Sequence, residues 1–147
     1  MNKKIELVYF YYGFPKSWAK IELTEIDLIK IENKLKFKNN ILIINQDIEK
    51  IVKYLFENFY GEVQGFDFSE LQSDILKNEI SINDLNLKEF NIIYNIGAEL
   101  ANNKAYSGQI LKSLYSRVLK VDKKLILSGV SSSELERTYG FKVKNML

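Results

Sequence analysis

The sequence predicts an α/β fold of three layers (α/β/α), a mainly parallel sheet with helices on both faces. Two stretches predict it. Between Phe90 and Gly140 an apolar run, Phe90–Asn95, is followed by an amphipathic helix, a second apolar run, Lys124–Ser128, and a capped helix, Ser131–Thr138. Strand, helix, strand, helix is how a chain lays down parallel strands covered by helices. The second stretch, Asn40–Asn45, is a short continuous apolar run with no alternation, as expected of a parallel strand buried on both faces.

Composition fits one domain spanning residues 1–147. With 46% hydrophobic and 13% aromatic side chains, a chain of 147 residues can bury a sizeable core. The formal net charge is only +2, so any basic surface must be local. There is no cysteine and no histidine, which excludes disulfides, thiolate nucleophiles, thiolate-bound zinc and every histidine-dependent mechanism. Lys, Tyr, Ser, Thr and the carboxylates remain as chemical groups. The start, Met1-Asn2-Lys3-Lys4, lacks the features of a signal peptide, and no window is apolar for the roughly 18 residues of a membrane span. A cytoplasmic protein with no membrane contact is expected.

In chain order, Ile5–Tyr12 is rich in β-branched and aromatic residues and ends at Gly13 and Pro15, which predicts a strand running into a turn. The aromatic cluster that includes Tyr9, Phe14 and Trp18 has only Lys16 and Lys20 near it, which favours packing over base stacking. Thr24–Leu35 reads as a helix opened by a capping box, Thr24 with Asp27, although Ile26 and Ile29 lie off its apolar stripe. Asp47 is placed to cap a helix in which Ile48, Ile51, Val52, Leu55, Phe56 and Phe59 share one face. Gly61 ends it. Val63–Phe68 reads as a strand, Ser69 with Gln72 as a capping box for a short helix through Lys77, and Ser81–Glu89 as a weak helical segment. After the central strand Phe90–Asn95, the residues Ile110, Leu111, Leu114, Tyr115, Val118 and Leu119 form the apolar face of a helix on the sheet. Ser131 with Glu134 caps the last helix.

A strand that turns into a helix is where a nucleotide-binding fold places phosphates, because the helix start offers free N–H groups. Here that junction is Asn45-Gln46-Asp47-Ile48-Glu49-Lys50-Ile51 and contains no glycine to wrap an anion.

The order of elements and several short segments resemble the ATPase domain of the DnaC/DnaI helicase loaders and their IstB-like transposition relatives, which are AAA+ proteins. Ile96-Gly97-Ala98-Glu99 is similar to the end of that family's Asp-Asp-Ile-Gly-Ala-Glu segment. Gln109-Ile110-Leu111 and Leu114-Tyr115-Ser116-Arg117 fall where the family has a helix ending in a Tyr- and Arg-containing turn. The segment from Ser131 to Gly140 is similar to the family's Ser-x-Glu-Glu-Leu-Glu-x-x-Tyr-Gly, and Phe14-Pro15-Lys16-Ser17-Trp18 to its Ile-Pro-Lys-x-Tyr. The resemblance implies a P-loop NTPase (AAA+)-like core.

The departures imply that this core is degenerate. No phosphate loop is present, and Tyr94 and Asn95 stand where the family has the two acids that hold magnesium and polarise water. Gly129 or Val130 replaces the polar sensor, Lys142 the first late arginine and Met146 the second. Glu99 persists and reads as a turn acid near a helix start. Phosphoryl transfer is almost wholly positioning and electrostatics, so such a site has no means of stabilising it. No catalytic residue, cofactor or metal is therefore expected. The few residues after Gly140 leave no obvious further strand, and Ile5–Tyr12 is the candidate to fill that sheet edge.

The functional expectation is a non-catalytic, nucleotide-independent protein of DNA replication or transposition. It would contact a replicative helicase, an initiator or an active AAA+ protein. Candidate contact residues are Trp18, Arg117, Arg137, Lys142 and Lys144. The alternative is a nucleic-acid-binding module in which Lys120, Lys123, Lys124, Arg137, Lys142 and Lys144 form a basic face for DNA. An enzyme is the third reading, with Asp67, Glu70 and Asp74 as its carboxylates, but Glu70 and Asp74 at i, i+4 more simply form the outer face of a helix.

Overall fold

The computed structural model describes residues 3–99 and 104–142. Four strands, β1 (Ile41–Ile43), β2 (Val63–Asp67), β3 (Phe90–Tyr94) and β4 (Lys124–Leu127), form one sheet in the order β1-β4-β3-β2, with every pairing parallel. Among the described residues six helices surround it: α1 (Lys3–Tyr11), α2 (Glu25–Lys34), α3 (Ile48–Asn58), α4 (Phe68–Leu76), α5 (Lys104–Lys120) and α6 (Ser132–Arg137). Short 3₁₀ turns cover Lys16–Lys20 and Ile82–Asp84.

The alternation of side chains along each strand divides the interior into two cores. Ile92, Tyr94 and Ile126 point to one face, where they meet Tyr9 of α1, Ile31 of α2 and Ile51, Val52, Leu55 and Phe56 of α3. Ile93, Leu125 and Leu127 point to the other, against α4, α5 and α6 through Leu71, Leu111, Leu114 and Leu135. The fold is therefore α/β with helices on both sides of a parallel sheet. The inner strands β3 and β4 are buried throughout except at Lys124, whereas β1 lies at an edge with Leu42 and Ile43 only half-buried.

The N-terminal segment is a helix, not the strand its composition suggests. Ile5, Val8, Tyr9 and Tyr12 recur at i, i+3, i+4 and i+7, and the Tyr9 ring stacks on Phe56 of α3 with centroids 4.2 Å apart. A helical contact with α3 overrides the β preference of its aromatic residues. Residues 5–12 therefore do not extend the sheet. They still touch its edge, because Gly65 N–H of β2 donates to Tyr12 O at 2.8 Å.

Cap chemistry departs from expectation at three other places. Thr24 and Asp27 make both bonds of the capping box, at 3.1 and 3.0 Å, as expected. The Asp27 carboxyl, bonded by Thr24 N–H and by Lys50, is held down at about 2. Asp47 precedes α3 but lies in the left-handed region (φ 57°) with no side-chain cap bond. The cap of α4 is Asp67, whose Oδ1 accepts from Ser69 N–H at 3.0 Å, so Ser69 is already inside the helix. Gln72 is buried and accepts from the Ser107 hydroxyl at 2.8 Å instead of closing a capping box. The Ser81–Glu89 segment is helical only as the 3₁₀ turn Ile82–Asp84.

Candidate functional site

In open α/β sheets ligands bind beyond the carboxyl ends of the strands, where neighbouring connections leave in opposite directions. In this sheet β1 hands over to α3 on one face, while its neighbour β4 receives the chain from α5 on the other. The candidate site is thus the rim formed by the turns after β1, β4, β3 and β2.

The turn after β1 presents Asn45 and Gln46 to a cavity of ≈ 330 Å³ that Lys34, Leu42, Ile43 and Ile44 also line. An acidic residue, Asp47, stands at the start of α3, where an anion would gain from the helix dipole. Lys50, the lysine of this junction, is turned away: its Nζ lies 3.1 Å from Asp27 Oδ1. An acid at the helix start and a lysine already paired with Asp27 both disfavour an anion at this junction.

The turns after β3 and β4 are pressed together. Ile96 N–H donates to Ser128 O at 3.1 Å, and Ser128 N–H to Ile93 O at 2.9 Å. Gly129 (φ 123°) sits so close that a Cβ there would lie 2.2 Å from Ile96 O. Only glycine fits both the conformation and the approach. Of the two positions, Gly129 and Val130, that the family resemblance offers for a sensor, the first is closed by backbone.

The two residues that the resemblance aligns with acids, Tyr94 and Asn95, are committed to structure. Tyr94 is buried, and its hydroxyl donates to Gly13 O at 2.7 Å, tying the N-terminal segment to β3; burial pushes the phenol well above its ordinary value, with Asp67 and Glu70 adding to the shift. Asn95 (φ 60°) donates from Nδ2 to Asp67 Oδ2 at 2.8 Å, so the carboxylate of Asp67 is shared between Asn95 and the N-terminus of α4. Among the described residues no group of three or more carboxylates converges as a metal site.

Glu99 is a buried acid of the rim. Its Oε1 accepts from Gly97 N–H at 2.6 Å, and its Oε2 accepts from Lys104 Nζ at 2.9 Å and from the Tyr139 hydroxyl at 2.7 Å. Burial raises its pKa, but these donors outweigh burial and hold the carboxyl below its ordinary value. These three bonds make Glu99 a clamp between the β3–α5 turn, α5 and the end of α6. Sequence reading missed Lys104 and Tyr139 as its partners. The spacing Glu99 to Lys104 across a helix start was the available signal.

The candidate contact residues separate. Trp18 is half-buried, its ring 5.0 Å from Tyr94 and 5.8 Å from Phe14. It packs more than it presents. Arg117 is half-buried too and donates from a guanidinium nitrogen to Ile82 O, pinning the 3₁₀ turn to α5. Arg137 and Lys142 are exposed on and after α6; Lys144 and Met146 lie outside the described residues. The basic face is also divided. Lys124 and Lys123 meet Glu89 at 2.9 and 3.6 Å, at the amino end of β4, whereas α6 follows its carboxyl end.

No helix among the described residues is long and apolar enough to cross a membrane. Comparison with models of known protein families, with curated proteins and with solved structures finds no match for this chain.

Proposed function

We propose that this chain is a non-catalytic, nucleotide-independent AAA+-like protein that acts in the cytoplasm through protein contacts, in helicase loading, initiation control or transposition. The replication context rests on the family resemblance of residues 90–147. One observation supports the non-catalytic part: Tyr94 and Asn95, which the resemblance aligns with the two acids, are bonded to Gly13 and Asp67, and Gly129, one of the two residues it aligns with the sensor beside Val130, is packed on Ile96. Selection on a surface keeps the frame while these groups change, since fold and chemistry are separable. The exposed outer side of α6, with Arg137 and Lys142, is the surface assigned to a replicative helicase, an initiator or an active AAA+ protein.

Titration calorimetry with ATP and ADP in the presence of magnesium tests the first half. No heat of binding is expected, and saturable binding overturns it. Sedimentation with a purified replicative helicase, initiator or AAA+ ATPase tests the second half. A complex weakened by Arg137→Glu and Lys142→Glu is expected; failure of all three partner classes to bind overturns it. The nucleic-acid alternative is disfavoured by the Glu89 contacts to Lys123 and Lys124.

A further inference from the structure

The helices on the α1–α3 face leave large apolar side chains in water at two separate places. On α1, Leu7, Phe10 and Tyr11 lie at i, i+3 and i+4 on the outer side and are 56%, 65% and 80% exposed. On α2, Ile26 and Ile29 lie at i and i+3 and are 65% and 61% exposed. Helices of water-soluble domains ordinarily put polar residues on that side, so both stripes are surfaces missing a cover.

The charges beside the two stripes are opposite in sign. Lys3 stands one turn before Leu7, and Lys16 Nζ lies 5.2 Å over the Phe10 ring. Lys20 adds a third cation, paired with the one acid of α1, Glu6, at 3.3 Å. Around Ile26 and Ile29 the flanking charges are Glu22, Glu25 and Glu32 against Lys30, all exposed. A basic apolar stripe and an acidic apolar stripe on one chain are mutual complements in both packing and charge.

Their positions decide what they can cover. Tyr12, just after α1, is bonded to Gly65 on edge strand β2, whereas α2 leads into β1, the opposite edge. The α3 helix lies between them, stacked on Tyr9 at one flank and joined to Asp27 by Lys50 at the other. The stripes thus sit on opposite flanks of the molecule and cannot close on each other within one copy.

We propose that the α1 stripe of one copy docks on the α2 stripe of a second copy, in a head-to-tail contact. Such a contact uses two different patches, so it propagates into a ring or an open chain instead of stopping at a symmetric pair. Lys3 and Lys16 face Glu25 and Glu32 across it, around a centre made by Leu7, Phe10 and Tyr11 against Ile26 and Ile29. The contact goes beyond the reading above and does not need a replication partner or the surface of α6.

Sedimentation velocity of the full chain from about 1 to about 500 µM covers the range in which a modest interface assembles. The expected result is a mass that rises with concentration and falls with added salt. Phe10→Asp and Ile29→Asp each alter one exposed side chain and leave the fold intact by circular dichroism. Each variant alone is expected to be monomeric, with association weakened at least about tenfold, a charge placed in an apolar contact. Mixed together they form a one-to-one dimer that grows no further, because each supplies the patch the other lacks. A wild-type chain that stays monomeric at low salt overturns the proposal. So does assembly by either single variant, which would signal a symmetric contact, or a mixture that forms no dimer.

Discussion

The hydroxyl of Tyr139 donates to Oε2 of Glu99 at 2.7 Å, joining the segment just after α6 to the turn that precedes α5. The same carboxylate holds Gly97 and Lys104, so one buried side chain fixes three backbone segments at the rim of the sheet. Replacing Glu99 by Ala removes the acceptor and strands the Tyr139 hydroxyl in the core. A loss of about 2–4 kcal/mol in urea unfolding is expected, against about 1–2 for Tyr139→Phe. Because the two groups share one bond, the double variant should fall short of the sum of the single losses. Additivity within 0.3 kcal/mol, the usual spread for independent sites, would mean that the bond adds nothing to stability.

The depressed titration of Glu99 has a direction in pH. Its folded value lies below the ordinary 4.5, so the ionised form favours the folded state. The stabilisation is fully present above about 4.5 and is lost as pH falls through the folded value. Unfolding free energies of wild type and Glu99→Gln, measured between about pH 7 and pH 3, should differ by a constant amount at the neutral end and converge toward acid. Parallel curves throughout would show that Glu99 titrates alike in both states.

Gly108 gives a prediction opposite in sign to helix propensity. It lies within α5, where Ala is ordinarily better than Gly by about 1 kcal/mol. A Cβ at Gly108 would lie 1.7 Å from Tyr139 O, a backbone atom with no freedom to retreat. Gly108→Ala is therefore expected to destabilise by about 2 kcal/mol or more and to lower the melting temperature. A more stable variant would show that α6 is not seated on α5 as described.

Restoring the acids of the resembled family should not restore chemistry. In Tyr94→Asp with Asn95→Asp the first carboxylate enters a site where Tyr94 is only 6% exposed, on the strand next to Asp67. Burial and like charge both oppose ionisation there. The double variant is expected to lose about 3 kcal/mol or more and to show no magnesium-dependent ATP hydrolysis. Turnover above the buffer rate would mean that only the acids were missing.

The sheet was legible because continuous apolar runs such as residues 41–44 have few other uses, and the stripes of α3 and α5 follow from helical period except at their ends, where Phe59 and Leu119 are exposed. The first helix was not. From Leu7 to Tyr12 every residue is apolar or aromatic, so the stripe of Ile5, Val8, Tyr9 and Tyr12 is hidden among Leu7, Phe10 and Tyr11. What selects a helix is Phe56, distant in sequence, under the Tyr9 ring. Asp67 was masked as the cap of α4 by Ser69, which fits the same motif two residues later. The fit of Thr24 with Asp27 is local and readable, whereas the pairs Tyr94 with Gly13 and Glu99 with Tyr139 depend on how separate elements meet.

The strand order also sets the sequence of events by which the molecule is made. β1 pairs only with β4, so Ile41 stays without its partner Leu125 until nearly all the described chain is available. Closing so long a loop carries an entropic cost before any contact rewards it, and parallel sheets with distant pairings fold slowly. The first strand thus spends the growth of the chain as an unpaired apolar segment. The final strand is the one that ends this exposure, inserting between β1 and β3 and completing the sheet from the inside.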